Sequence, residues 1–329
     1  MKVAVVTPIY RYISFFDELC DAMAATGSAV NWIVVDDGSP LPDSERIQSA
    51  VRRVRNAHYF RTDNLGACHA RNFGLGFAEA PWVHFVDADD YPGPDFYREC
   101  ARIVQAQPHC RMVLGETWIA GPRGSVLKRP LPRQDWRALL CCNAGTPCFH
   151  HSAGLYRAED IRAIGGWNET LQADQDGDFQ FRYLLKCRPS IAFADSAGFV
   201  HRDHREPGRI SVTNSLAKLE CRIRTTASME LVAQDPVFGT GLLQQAIALR
   251  WEGIAAVAVS QWPELAADCM ARARRIAPGY RSGVKLPIRL LGRIVGEIRV
   301  LKLQQWLRGT RAYGAAGAAK MQIRRWIRR

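Results

Sequence analysis

Residues 82–90 read W-V-H-F-V-D-A-D-D, and Y-P-G-P follows at 91–94. The apolar run from Trp82 has the residue types and length of a buried strand. It ends in three carboxylates within four positions, Asp87, Asp89 and Asp90. Carboxylates this close repel one another, and burying any of them unpaired is costly. A positive partner is therefore expected. Two carboxylates on one strand rim suit a hard divalent cation, Mn2+ or Mg2+, which also takes phosphate oxygens. The plain alternative is a solvated acidic loop.

Upstream, the runs 3–7, 32–36 and 58–61 also read as strands, rich in Val, Ile and aromatic residues. Between them 13–25, 43–55 and 65–80 carry apolar residues at helical spacing. This β-α-β-α-β-α-β order predicts an α/β fold with a doubly wound, mostly parallel sheet. Ligands of such sheets bind outside the carboxyl ends of the strands. Thr7–Tyr10, Asp36–Ser39 and Asp87–Asp90 should then converge on one crevice.

Beyond the acidic turn, 115–150 reads as less regular, with Gly and Pro punctuation. Helices are expected at 160–165 and 173–186, and late strands at 191–201. From Ser215 the texture turns to Ala- and Leu-rich helices, with a helical hairpin over 242–259 and 263–276. These shifts divide the chain into a domain 1–212 and a helical region 213–329.

The chain has 329 residues and a net charge of +12. Residues 281–329 hold 13 Lys or Arg and one acid, Glu297, which leaves 31 of each sign in the rest. A neutral body argues against nucleic-acid binding, and a basic tail from about 281 argues for an anionic partner. In that tail Leu291, Ile294, Ile298 and Leu301 share one helical stripe, followed by Trp306 and Trp326. A basic amphipathic helix with Trp suits an anionic membrane surface, and a helix docked on the body is the alternative. No run of 18 apolar residues occurs, so no membrane span is expected. The opening M-K-V-A-V-V-T-P lacks a signal peptide's cleavage region, so a cytoplasmic chain, peripheral on the inner face of the membrane, is expected. The ten cysteines form no C-x-x-C pair and are expected as free thiols.

Taken singly, the motifs have ordinary readings. Asp36-Asp37-Gly38-Ser39 is common turn chemistry, or a carboxylate accepting from a nucleobase or ribose. Asn64 fits a helix N-cap with Gly66 in the first turn, while Arg71 suits a pyrophosphate near that helix start. Asp174, Asp176 and Asp178 fit an acidic helix start. Cys141, Cys142, Cys148, His150 and His151 match no zinc spacing and read as thiol packing.

Together and in this order, the motifs resemble the family 2 glycosyltransferases of the GT-A fold, over about residues 2–205. Val5–Tyr10 is similar to the family's first-strand "P-x-Y-N", with Arg11 replacing the Asn. Asp36–Ser39 matches its D-D-G-S. Asn64–Gly74 matches "N-x-G-x-x-x-A-R-N-x-G", and Phe85–Asp90 matches its D-x-D. The resemblance implies an inverting enzyme with a nucleotide-sugar donor, a UDP-sugar foremost, and a glycan or lipid-linked acceptor in surface polysaccharide synthesis. It assigns Pro8, Tyr10, Asp37, Asn64, Gly66, Arg71 and Asp87 to the donor nucleotide, and Asp89 to the metal.

Gly165-Gly166-Trp167-Asn168-Glu169 and the acidic stretch 174–178 are similar to the family's "G-G-F-D-E … E-D-x-D". That places Asp176 on the base that takes the acceptor's proton. Asp90, Trp167, Gln175 (in place of the customary Glu) and Asp178 become acceptor or supporting residues. His201–His204 resembles the closing "Y-R-x-H", which puts His204 near the metal. The rivals are a nucleotidyltransferase, which should carry a Gly-rich loop after strand one, and a degenerate carbohydrate-binding or scaffold protein. Arg11-Tyr12-Ile13-Ser14 has no glycine, and the retained Asp37, Asp89 and Asp176 oppose the second.

Overall fold

The computed structural model describes residues 1–120, 126–129, 133–202, 215–238 and 241–280. The first of two compact units holds Met1–Asn143 and Pro147–Val212. In it β1 (Val3–Ile9) is buried at every position, as a central strand covered on both faces must be. Parallel to it run β2 (Val30–Asp36) and β4 (Trp82–Phe85), with β3 (Ala57–Arg61) parallel beyond β2. The helices α1 (Phe16–Ala24), α2 (Asp43–Arg52) and α3 (Ala67–Gly76) return the chain between these strands. The register Val6↔Ile33 and Val6↔Phe85 brings the carboxyl ends of the three central strands level. At Gly74 an added Cβ would lie 2.5 Å from Val6, so α3 is seated hard against β1.

Past the acidic turn come β5 (Tyr91–Pro92) and α4 (Phe96–Ala106), which the sequence reading does not name. The stretch expected to be irregular from 115 contains most of β6 (Met112–Ala120), then β7 (Val126–Arg129) and α5 (Trp136–Gly145). The Gly punctuation misleads there because Gly115 is not a loop residue. It marks a register shift between β6 and β9 (Ile191–Arg202), where a Cβ would meet Phe96 at 2.6 Å. β8 (Gly154–Arg157) lies antiparallel between β4 and β6. Among the described residues one nine-stranded sheet results, in the order β3-β2-β1-β4-β8-β6-β9-β5 with β7 beside β6. Two further helices, α6 (Ala158–Ala163) and α7 (Gln175–Cys187), complete the unit.

The second unit begins at Thr213 and also takes Ala144–Thr146. Its helices are α8 (Leu216–Gln234), α9 (Gly241–Ala258) and α10 (Pro263–Ile276). Their core holds polar groups, each with a partner: Trp251 Nε1 donates to Glu230 at 3.1 Å and Arg250 Nε to the Thr226 hydroxyl at 3.1 Å. No helix among the described residues is long and apolar enough to cross a membrane. The basic tail lies outside the described residues.

Candidate active site

The crevice begins at the carboxyl ends of β1 and β2. Pro8 is buried opposite Val35, whereas Tyr10 is exposed beneath the Arg11 guanidinium. The two aspartates ending β2 part company. Asp36 is spent on the fold, accepting from the Ser39 amide at 2.8 Å, the Tyr59 hydroxyl at 2.7 Å and Arg61 at 3.2 Å. Asp37 faces the next loop. Its Oδ1 accepts from the Thr62 hydroxyl and the Leu65 amide, both at 2.9 Å, and its Oδ2 from the Gly66 amide at 2.7 Å.

These bonds correct the expected cap of α3. Asn64 is not the N-cap: it is left-handed (φ 55°), and the helix begins at Ala67 with Gly66 (φ 100°) in the cap position. The carboxylate of Asp37, from another strand, satisfies the amide that a local cap would have served. Asp37, Asn64 and Gly66 are thereby drawn onto one rim.

Arg71, one turn into α3, is buried and aimed at the acidic turn. Its Nη2 donates to Asp87 Oδ1 at 2.6 Å and its Nη1 to Gln175 Oε1 at 3.4 Å, and the guanidinium lies 4.3 Å from the Trp167 ring centre. On the other side of Asp87 stands a residue the motifs do not single out, His151. Its Nε2 is 3.3 Å from Asp87 Oδ1, and its Nδ1 is 3.2 Å from Asp176 Oδ1 in the first turn of α7. The His151 side chain is fully buried, while that of Asp176 is 41% exposed and open to a substrate.

Two carboxylates and two cations thus form one cluster. Burial alone would raise Asp176, but the charge of His151, 3.2 Å away, outweighs that and brings it down to about 2. Asp87 is likewise held well below the usual carboxylate range by His151 and Arg71, against its burial. For His151 burial works downward, and the two aspartates overcome it to raise the ring to about 9. The sheet supports this cluster from beneath. His84 Nε2 lies 2.6 Å from the Ser152 carbonyl and its Nδ1 is 2.9 Å from the Tyr97 hydroxyl. Burial lowers His84 to about 4, so the ring is neutral. Nε2–H therefore donates to Ser152, and Tyr97 donates to Nδ1.

At the far end of the acidic turn, Asp90 is buried. It accepts from His201 Nδ1 at 3.0 Å and from the Arg202 amide at 2.9 Å. Burial raises its pKa, with the bond and charge of His201 opposing. His150 lies between His151 and His201, its ring tilted against theirs at 4.5 and 4.7 Å, and burial brings it to about 4. Among the described residues, three overlapping sets have ligand atoms close enough to share an ion: Asp87–Asp89–Asp90, Asp87–His150–His151 and Asp90–His150–His201. Carboxylate oxygens beside imidazole nitrogens fit Mn2+, and the all-carboxylate set also fits Mg2+. His204 lies outside the described residues.

The remaining predicted residues frame the crevice. Trp167 is buried, stacked on Phe179 at 4.2 Å, and forms a wall. Asp178 turns away from Asp176 to hold Arg182 at 2.6 Å, which in turn donates to the Ile164 and Gly166 carbonyls at 2.9 Å. Gln175 also donates to the Leu171 carbonyl at 2.8 Å. Asn72 brackets Trp167, accepting from its amide and donating to its carbonyl, both at 2.8 Å. Gly166 (φ 68°) lies so near that a Cβ would meet Asn72 Oδ1 at 2.4 Å. Asn72 stands within the quoted 64–74 motif, so that motif was a signal for it. For His151 the sequence offered its place beside Cys141, Cys142, Cys148 and His150, a group that matches no zinc spacing.

Residues 4–165 match the family model described as glycosyl transferase family 2. Among curated relatives, the uncharacterized glycosyltransferase EpsJ of Bacillus subtilis is 31% identical over 90 residues, 27% of this chain and 26% of EpsJ. The pre-mycofactocin glycosyltransferase of Mycobacterium tuberculosis is 27% identical over 187 residues, 53% of this chain and 37% of that protein. The chain thus spans less than half the length of these relatives. A structure of S. aureus TarS 1-349 in complex with UDP-GlcNAc superposes with a TM-score of 0.68 at 18% identity, covering 94% of this chain and 93% of that one. At that identity the likeness is one of fold, and it is the GT-A fold.

Proposed function

Because the chain belongs, through residues 4–165, to glycosyl transferase family 2, we propose that the crevice transfers a sugar, with inversion, from a nucleotide sugar to an acceptor hydroxyl. The observation that carries this reading is the meeting of Asp87, from the end of β4, with Asp176, from the start of α7, across one imidazole. A donor-side carboxylate and a substrate-accessible base then stand side by side. A UDP-sugar is the donor we infer first, since TarS structures of this fold contain UDP-GlcNAc and UDP. The acceptor we infer is a glycan or a lipid-linked sugar in polysaccharide synthesis.

Asp37, Asn64 and Gly66 line the rim assigned to the nucleoside. Asp89, with Asp87 and Asp90 beside it, would hold the divalent ion, whose role is to offset charge on the departing diphosphate. Asp176 accepts the proton of the acceptor hydroxyl as its oxygen attacks the anomeric carbon. Its low pKa keeps it ionised at neutral pH, and the hydroxyl becomes acidic enough to give up its proton only as the new bond forms. One direct displacement inverts the anomeric centre. Residues from about 281 would hold the enzyme on an anionic bilayer, at about 1 kcal/mol per basic residue near the surface.

The test is a panel of nucleotide sugars with Mn2+ or Mg2+, assayed for donor turnover with and without acceptor. Asp89→Ala, or EDTA, should abolish turnover, and Asp176→Asn should reduce it about 10²- to 10⁴-fold while nucleoside diphosphate still binds. Full activity in EDTA removes the metal, and a wild-type rate in Asp176→Asn removes the base. Truncation at 281 should release the protein from anionic vesicles and spare donor turnover, and equal vesicle binding without the tail overturns the membrane reading.

A further inference from the structure

His151 belongs neither to the acidic turn nor to α7, yet its ring fills the gap between them. It reaches Asp87 with one nitrogen and Asp176 with the other, at 3.3 and 3.2 Å. Its side chain has no exposed surface, whereas the carboxylates it touches are 27% and 41% exposed. A substrate meets the aspartates and never the imidazole, so any effect of His151 on the reaction passes through them.

The ring is itself fixed. Its Nε2 lies 3.1 Å from the Ser152 hydroxyl, the Trp167 ring stands edge-on at 5.3 Å, and His150 covers one side at 4.5 Å. The turn that carries it is tied to β4 through the bond between His84 and the Ser152 carbonyl. Two buried histidines therefore sit one layer apart and do different things. His84 spends its nitrogens on a backbone carbonyl and a tyrosine, as a structural histidine does. His151 turns both toward carboxylates whose other faces open to the crevice, and shares its Nε2 with the Ser152 hydroxyl.

We propose that His151 is a positioning residue that sets the orientation of Asp176 and its spacing from the donor-side Asp87. A base is productive only within a few tenths of an ångström of its proton, and the group that orients it is commonly a third residue out of the substrate's reach. The Asp176 side chain stands in the first turn of a helix at the crevice mouth, and His151 is the ion-pair partner it meets there. The inference rests on the function proposed above.

Two variants separate positioning from packing. Asn at 151 places an amide nitrogen near where Nδ1 stood and keeps a donor toward Asp176. Gln places one near the Nε2 position and keeps a donor toward Asp87. On the donor the panel identifies, His151→Gln should lower kcat about 10- to 100-fold with donor KM within twofold. His151→Asn should recover most of that loss. In the Asp176→Asn background, His151→Gln should cost less than threefold more, because the residue it positions has already lost its function. Equal losses in Asn and Gln, a rise in KM alone, or an undiminished loss in the double variant would each overturn the proposal.

Crystal structures of the wild type and of His151→Phe decide the geometry without any turnover. The Asp176 carboxylate should leave its place in the variant, and an unmoved carboxylate overturns the proposal. If no donor in the panel is turned over, the transferase reading fails by itself and the crystallographic comparison still decides the role of His151. Should His151→Phe not fold, the same comparison is made with His151→Gln.

Discussion

Asp87 and Asp90 are the first and last carboxylates of one four-residue turn, and their surroundings are opposite. Asp87 is flanked by Arg71 and His151, which hold it ionised well below the ordinary range. Asp90 is more deeply buried, its pKa is raised, and its oxygens are taken by His201 and the amide of Arg202. The same division runs through the adjacent histidines. His151, facing two aspartates, is raised to about 9, and its neighbour His150 is lowered to about 4. The pair resolves how a strand can end in three carboxylates. One is matched by two cations, one is sheltered as part of the scaffold, and Asp89 between them is half-exposed. A crowded acidic turn therefore does not present three equal charges.

The sharpest way to break this comparison is to neutralise each end in turn. Asp87→Asn leaves a buried guanidinium and a buried imidazole without their shared anion. Breaking a buried pair in this way costs about 3 kcal/mol or more. A drop of that size is expected in the urea-unfolding free energy, along with loss of donor turnover. Asp90→Asn keeps a carbonyl to accept from the Arg202 amide and should cost about 1 kcal/mol. If the two variants are equally destabilised, the division between a charged and a sheltered end is wrong.

The smallest effect, and the most diagnostic, is on pH. For His151 the folded pKa stands above the ordinary 6.5, so its stabilisation is complete below 6.5 and fades as pH rises through about 9. His150 and His84 have folded values near 4, so the unfolded chain takes up their protons first. Their linkage lowers stability as pH falls from 6.5 toward 4. Urea midpoints at several pH values should show both limbs. His151→Asn should flatten the alkaline limb and His150→Phe the acid one, and a single variant that flattens both would show that the two rings titrate as one group.

Much of the first unit was readable because its strands are short, apolar and separated by helices of ordinary period. The strands at 3–9, 30–36 and 57–61 begin or end within two residues of where the apolar runs put them. Motifs at strand ends could be assembled from the topology alone, since parallel pairing fixes which ends meet. What escaped did so for physical reasons. Asp37 replaces a local cap across 28 or 29 residues of chain, and no window on the sequence contains both partners. Gly115 and Gly198 look like breaks, yet they are where β6 and β9 shift register and where Trp118 lies against the strand. His151 drew attention only as a failed zinc ligand, because its meaning depends on Asp87 and Asp176 arriving from two other elements. Asp178 and Trp167, expected as acceptor or supporting residues, have their side chains committed to Arg182 and Phe179.

The seat of α3 on the sheet has a mechanical consequence. At Gly74 the space for a β-carbon is already taken by Val6, with Val35 and Ile33 just behind it at 3.2 and 3.4 Å. The same helix carries Arg71 and Asn72 three and two residues earlier, the first holding Asp87 and the second holding Trp167. The helix is thus a lever whose fulcrum is a hydrogen atom. A methyl group added at that point, remote from any substrate, would lift the arm and change the reach of both side chains together. The tolerance of the crevice is machined at its back.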